Sequence, residues 1–593
     1  MDGSPTAPAE ELADRLAALG QVELSELTRF LDSISGFECG GLLIEACRCL
    51  DHAHVIQQMS AHEHAKLTPH DFDIIVRGWN VLLSLLLARV GGFSGVPMAE
   101  STPEMRQTVM GMLHTAGRYV LLNRTADMVR HRMVDGVATE TEIEVWISDR
   151  TLSDHFHDHV DGNRFAELNS KVFGGHRPDP RGEEADRVRD QMAALTFPWN
   201  TPKGVMVGYT TTPEIDEFFL RAVIDATIAW RNEAGIYPAA TLGDCTGEDL
   251  TAIVNVLLSF YLKHIMFVEE AIKRHPGVNQ HMSLTIWKLR SELLASLVAA
   301  GATPSVAEAA LDLITVRPSD AGFFMDEHTP GIPLAIEIAD GYLLTPVSGI
   351  FRNPFHHIRM LRESNSSQLR NAFREHRERW MADDIYALFD GPRFQRVAGQ
   401  TRLRRNGQTV TDIDAAIFDN ATEELLLVQL KWQDFGTSSV RAQRSKAKNF
   451  SNQVESWGKK TTLWLDQFGV AALCRSLKIR LPDGKLPTLV RLWAIGRSNA
   501  RFRSYGYTAG PQVLVMPWPQ LVRLRYEIGP GADVFALIAA RVVEETAAAA
   551  TRTAMPYVLD HRGVRVVFKD IWSSFDDGPA PTEATDAADG GSG

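Results

Sequence analysis

Cysteine is scarce in this 593-residue chain: Cys39, Cys47, Cys49, Cys245 and Cys474 are the five present. They are too scattered for a disulfide framework, and no CxxC pair offers a structural zinc site. Long apolar runs are also missing. Trp79–Phe93 and Ile253–Val268 are too short, or too interrupted by Arg89, Lys263 and His264, to cross a bilayer. Met1–Glu10 lacks the basic and apolar regions of a signal peptide. A reducing, cytoplasmic location with no membrane partner is therefore expected. No GxxxxGK[ST] or GxGxxG follows a strand pattern, so Gly40–Gly41 and Gly91–Gly92 read as turn glycines. Without a GxSxG context, a serine hydrolase has no support.

Positive charge is in deficit overall, with a formal net charge of −13, yet the average conceals an asymmetry. Residues 361–550 hold 28 Lys+Arg against 19 Asp+Glu, and the remainder carries 33 against 55. A basic module on an acidic carrier is an electrostatic footprint compatible with phosphate binding, and equally with solubility alone.

The length exceeds one hydrophobic core and predicts two to four domains of about 100–200 residues. Residues 1–10 and 573–593, rich in Ser, Pro, Ala, Asp and Gly, read as disordered ends. Residues 11–325 read as an α-helical regulatory or oligomerising region. Apolar residues recur there at helical spacing in Leu12–Leu19, Leu42–Met59, Phe72–Leu87, Met105–Val129, Ile215–Trp230, Leu250–Ile272 and Met282–Leu297. Gly91–Pro97, Gly174–Pro180 and Arg317–Gly322 separate them, and 145–212 is more irregular. Residues 326–362 form a β-containing connector, two short strands turning at Asp340-Gly341. Asn353-Pro-Phe355 then opens a helix that resumes as Gln368–Phe389. Residues 363–550 alternate strand and helix signals, and 551–572 form a C-terminal extension.

Within this α/β part, Val410–Asp419 reads as a strand, Asn420–Glu424 as a turn, and Leu425-Leu-Leu-Val-Gln-Leu-Lys-Trp432 as the next strand. Side chains alternate along a strand, so Gln429 and Lys431 share a face, and hairpin pairing brings Asp414 beside Gln429. A carboxylate, a neutral oxygen ligand and a lysine then meet at one sheet edge. Metal-assisted phosphodiester hydrolysis needs this set: hard oxygen ligands for Mg²⁺, and a cation to orient water and offset charge. The Leu430 carbonyl is a further candidate ligand. The bland alternative for Asp412 and Asp414 is a pair of carboxylates capping a turn. Lys431 is harder to dismiss, because a lysine inside an apolar strand needs a partner.

In Ile413-Asp414-Ala415-Ala416 followed by Gln429-Leu430-Lys431, residues 365–530 resemble the PD-(D/E)xK restriction-endonuclease-like superfamily, in the QxK variant of Mrr-type endonucleases. The resemblance implies a central mixed sheet and a metal-dependent DNA endonuclease using Mg²⁺ or Mn²⁺, with RNA as the alternative substrate. Asp414 would bind metal, Gln429 would occupy the usual acidic position and Lys431 would be the catalytic lysine. Family members often carry a Glu on the preceding helix; Glu378 fits best and Glu375 second. Of the two strand aspartates, Asp414 is favoured over Asp412 because a small pair follows it. The basic helix Val440–Trp457, with Arg441, Arg444, Lys446, Lys448 and Gln453, would face the substrate backbone. The missing acid at 429 leaves a second reading open: a catalytically silent nuclease fold used for binding or assembly. A helical half joined to such a domain resembles proteins of bacterial anti-phage defence, and a second copy of the chain could assemble through it.

His155-Phe-His-Asp-His159 places two histidines one helical turn apart, but the Glu of HExxH is absent, so a surface helix is expected. Trp432, Trp457, Trp464 and Trp493 read as core rather than as base-stacking platforms. The expected whole is a multidomain protein: a mainly α N-terminal region and a C-terminal α/β domain.

Overall fold

The computed structural model describes residues 7–575 apart from 60–65, 91–99, 174–181, 327–330, 340, 398–399, 434–438, 480, 482–484, 509, 530, 532, 548–549 and 551. The expected breaks Gly91–Pro97 and Gly174–Pro180, Asp340 of the expected turn, and 1–6 and 576–593 of the expected disordered ends lie outside the described residues.

Helices Ala7–Asp32, Gly36–Met59, Pro69–Leu87 and Pro103–Arg130 pack on one another through apolar stripes. The first helix buries Leu12, Ala13 and Leu16 against Leu121 and Leu122, so residues 7–10 form its opening turn rather than a disordered end. Gly40 and Gly41 lie buried inside the second helix, not at a turn. One sequence signal recurs at helix starts. Thr68-Pro69, Thr102-Pro103, Thr212-Pro213 and Thr303-Pro304 each place a threonine whose side chain accepts an N–H of the first turn. Proline then sits where its missing N–H leaves no gap.

Helix Gly247–Arg274 is, among the described residues, the one helix long and apolar enough to cross a membrane. Here it buries Leu250, Val254, Leu257, Tyr261, Ile265 and Val268 in a protein core, and Lys263 is paired with Asp216. The expected helix Met282–Leu297 is instead interrupted by strand Ile286–Leu289, whose β-favouring Ile-Trp run pairs with Tyr342–Thr345. That sheet, completed by Ala335–Ala339 and Thr315–Val316, draws strands from both sides of residue 326. The connector is therefore continuous with the helical region. The irregular 145–212 section resolves into helices Asp149–Phe173 and Glu183–Leu195 and the hairpin Thr196–Thr201/Gly204–Tyr209.

The C-terminal extension also departs from expectation. Strands Arg552–His561 and Val564–Phe575 join Val134–Ala138 and Glu142–Ile147 in one sheet, so 573–575 is strand and the chain's two ends share a core. Residues 564–575 run parallel to 142–147, with Asp570 Oδ1 accepting the Ile147 N–H at 2.7 Å.

The α/β domain begins with helix α1 (Arg377–Leu388). Strands β1 (Phe394–Arg396), β2 (Thr401–Arg405), β3 (Gln408–Ile413), β4 (Ala415–Asp419) and β5 (Glu424–Lys431) follow. Helix α2 (Val440–Leu477) leads to β6 (Leu489–Gly496), β7 (Leu514–Pro517), α3 (Trp518–Ile528) and α4 (Val534–Ala547). The sheet order is β1-β4-β5-β6-β7, antiparallel at the β1/β4 and β4/β5 pairs and parallel beyond. Both faces are covered, which is why Leu425–Val428 is apolar without alternation. Leu426, Val428 and Leu430 pack under α1, α3 and α4; Leu425 and Leu427 pack under α2.

Candidate active site

The expected strand Val410–Asp419 is two strands meeting at a bend, and Asp414 is the bend. β3 pairs with β2 in a separate two-stranded ribbon, whereas β4 pairs with β1 and β5. Asp414 is anchored where the chain changes sheets: its N–H donates to the Val428 carbonyl at 3.1 Å. Its carboxylate Oδ2 accepts from the Leu430 N–H at 2.8 Å and from Gln429 Nε2, and Oδ1 accepts from Gln400 Nε2 at 3.0 Å. Burial pushes the Asp414 carboxyl above its ordinary range, against those donors and the nearby Lys431 charge.

Continuing the alternation of Leu425 and Leu427, Gln429 and Lys431 project on the α2 side of the sheet. Gln429 is buried, and it gives its NH₂ group rather than its oxygen to Asp414. Lys431 is half-buried and makes no ion pair among the described residues, while its charge acts on both Asp414 and Glu378. The Leu430 N–H faces Asp414, and its carbonyl leaves the strand by the same edge.

Glu378, in the first turn of α1, belongs to the same group. Desolvation first, then the negative charges of Asp414 and Asp412, push its carboxyl upward; Lys431 pulls it down. Glu375 caps the preceding helix Ser367–Arg374. Asp412 is half-buried, held by Gln400 Nε2 at 3.4 Å, with its main-chain oxygen accepting from Trp457 Nε1 at 2.8 Å.

Along α2, Ala447, Phe450, Val454 and Trp457 face the sheet. Arg441, Lys448 and Gln453 are exposed and Lys446 is half-buried. Arg444 departs from the expected substrate-facing row: its Nη1 lies 3.2 Å from His131 Nδ1, against the N-terminal region.

Three supporting residues escaped the sequence reading. Gln400 bridges both aspartates. Tyr386 of α1 donates to the Val397 carbonyl at 2.5 Å and accepts the Ala416 N–H at 3.3 Å, fixing α1 to the strand after Asp414. The Arg497 N–H donates to the Lys431 carbonyl at 2.9 Å, and its guanidinium, paired with Asp384, lies 5.3–5.7 Å from the Trp380, Trp432 and Trp518 ring centres. No motif marks these positions; only the folded contacts do.

The His155–His159 segment lies in helix Asp149–Phe173, but its working residues are aspartates. Arg501 Nη1 donates to Asp158 at 2.6 Å, Arg523 Nη2 to Asp161 at 2.8 Å, and the Ser504 N–H to Asp154 at 2.8 Å. This helix fastens the α/β domain to the N-terminal region. Among the described residues, the His, Cys, Asp and Glu side chains that cluster closely enough to hold a metal are Glu45, Cys49 and His281, buried in the helical region. Glu45 is already taken up by Ser101 at 2.6 Å, His281 at 2.7 Å and Arg48 at 3.2 Å, and burial pushes the Cys49 thiol far up. That group is a hydrogen-bonded core network. The chain matches no family model, no curated protein and no solved structure.

Proposed function

We propose that the α/β domain is a PD-(D/E)xK-type nuclease that hydrolyses phosphodiester bonds in DNA with Mg²⁺ or Mn²⁺. The observation that carries this reading is Asp414, a carboxylate held at the bend by Gln400, Gln429 and the Leu430 N–H, with Lys431 two residues past Gln429 on the same strand. Glu378, Asp412 and Asp414 act on one another with Lys431 as the cation among them, an excess of two negative charges. A divalent cation offsets that excess, and the oxygen-rich donor set suits a hard metal. Asp414 and Glu378 would hold it, with the Leu430 carbonyl and, after its amide turns, the Gln429 oxygen. Bound there, the metal supplies a lowered water pKa and polarises a phosphoryl oxygen.

The chain's own groups do the rest. Lys431 has an ammonium left over by the fold, able to hold a phosphate oxygen or the attacking water. Gln400 and the Leu430 N–H fix the Asp414 carboxylate in one orientation. Arg497 holds the Lys431 backbone from behind.

Plasmid DNA incubated with Mg²⁺, Mn²⁺ or EDTA tests the reading. Wild-type protein is expected to cut with either metal and not in EDTA. Lys431→Ala and Asp414→Asn are each expected to slow cutting by roughly 100-fold or more. Equal cutting by wild type and Lys431→Ala removes the assignment. The Gln429 amide favours one other reading, a nuclease fold without catalysis, because its NH₂ occupies Asp414. Duplex binding without cutting in any divalent metal would establish that alternative.

A further inference from the structure

The ribbon β2–β3 stands apart from the main sheet and leads directly into Asp414. Its tip, Asn406-Gly407, has φ of 49° and 80°, the paired left-handed geometry of a tight hairpin turn. One side is fastened down: Leu403 is fully buried under α2, and Trp464 Nε1 donates to the Arg404 carbonyl at 3.0 Å. The other side carries Arg402 and Arg404, and Arg405 stands at the strand end beside the turn, all three exposed. None of these three guanidiniums makes an ion pair or side-chain hydrogen bond among the described residues. Elsewhere in the domain arginines are engaged, as in Arg393–Asp419, Arg491–Glu424 and Arg497–Asp384.

The register places this row beside the site. Arg402 is the cross-strand partner of Asp412, and cross-strand partners share a face. The bland account is an edge strand blunted by charge. A guard strand needs charge of either sign, however, whereas here three of five residues are arginines, fixed on a rigid ribbon at the mouth of a carboxylate site. Residues 400–413 contain no aromatic side chain, so the ribbon has no platform for stacking unpaired bases. Guanidinium forks suit phosphate oxygens, and contacts to phosphate carry no base sequence.

We infer that Arg402, Arg404 and Arg405 form a clamp for the phosphodiester backbone of duplex DNA, feeding the Asp414 site without reading sequence. The inference rests on the nuclease reading for its placement, but its test is separate. Fluorescence anisotropy of a labelled duplex of arbitrary sequence, in EDTA and at several KCl concentrations, reads binding without cutting. The triple variant Arg402→Ala/Arg404→Ala/Arg405→Ala is expected to bind at least about tenfold more weakly. Its slope of log K against log salt is expected to fall by about 2–3, near 0.9 per lost phosphate contact. Lysines at the three positions are expected to restore most of the slope. Circular dichroism melts confirm that each variant is folded.

Unchanged affinity and slope in the triple variant overturn the clamp, as does a wild type that binds no duplex. A triple variant that only aggregates, with normal binding, assigns the arginines to edge protection and also overturns it. Tighter arginine-dependent binding of an RNA of the same sequence overturns the choice of DNA. Arginine-dependent duplex binding with no cutting in Mg²⁺ or Mn²⁺ keeps the clamp and removes the nuclease. Normal cutting and binding by the triple variant does the reverse.

Discussion

Gln429 sets the character of the candidate site, because a neutral amide donates where a carboxylate would repel. Gln429→Glu is expected to lower metal-free stability by about 1–3 kcal/mol, since two carboxylates then face each other without the donated bond. The same variant is expected to gain more in Tm from Mg²⁺ than wild type does; thermal melts with and without Mg²⁺ compare the gains. An equal gain would argue against a metal beside residue 429. His357 offers an unrelated handle, packed against Phe323, Phe324 and Gly331 with no partner for Nε2 among the described residues. Burial lowers its pKa to about 3, from an ordinary value near 6.5. The unfolded chain therefore takes up a proton below pH 6.5 that the folded protein refuses until about pH 3, so stability is lost as pH falls through this window. In His357→Phe the fall of Tm between pH 6.5 and 4 is expected to be shallower than in wild type; identical slopes would show that His357 does not titrate on unfolding. At this scale the reading of Asp414 beside Gln429 came from spacing alone. Gln400 did not, because it lies outside any strand and no pairing pattern places it, and Arg497 did not, because its partners Lys431 and Asp384 are far away in sequence.

At the scale of elements, the sequence pattern 410–419 shows one strand because β3 is rich in β-branched residues, β4 is apolar, and no Gly or Pro separates them. What it hides is the change of partner at Asp414, since pairing is set by β2 and β5 rather than by local preference. The strand Ile286–Leu289 was hidden in the same way, inside a run whose apolar spacing also fits a helix. One element end reaches the site. Gly235 terminates helix Pro213–Ala234 at φ 73°, and a Cβ there would lie 2.2 Å from the Trp432 ring, one residue beyond Lys431. Gly235→Ala is expected to cost about 1–2 kcal/mol from backbone strain alone. Because Trp432 must also move, cutting of plasmid DNA is expected to fall further than the loss of folded protein explains. A lower Tm with unchanged kcat would show that Trp432 does not position Lys431.

For the whole molecule, composition showed a basic module in an acidic chain and the patterns showed where helix gives way to mixed sheet. The joints between the parts were not legible, because they are made by scattered polar side chains. Arg523 illustrates this: 4% exposed, it binds Asp161 at 2.8 Å and Glu545 at 2.6 Å, and so links the α/β domain to helix Asp149–Phe173. Arg523→Ala is expected to destabilise the protein by about 3 kcal/mol, since buried Asp161 then keeps Arg501 alone and part-buried Glu545 loses its closest cation. Chemical denaturation measures this, and a loss within the roughly 1 kcal/mol of a surface pair would mean that solvent reaches the joint. The shared sheet has a different consequence, one of timing. Glu142–Ile147 finds its parallel neighbour only in Val564–Phe575, more than four hundred positions later. On the ribosome, that edge of the N-terminal region waits open through the synthesis of the entire α/β domain. A chain cut short by a premature stop after residue 550 would therefore leave the ribosome with one edge of its early hairpin unpaired, a target for proteases rather than a free-standing α/β domain.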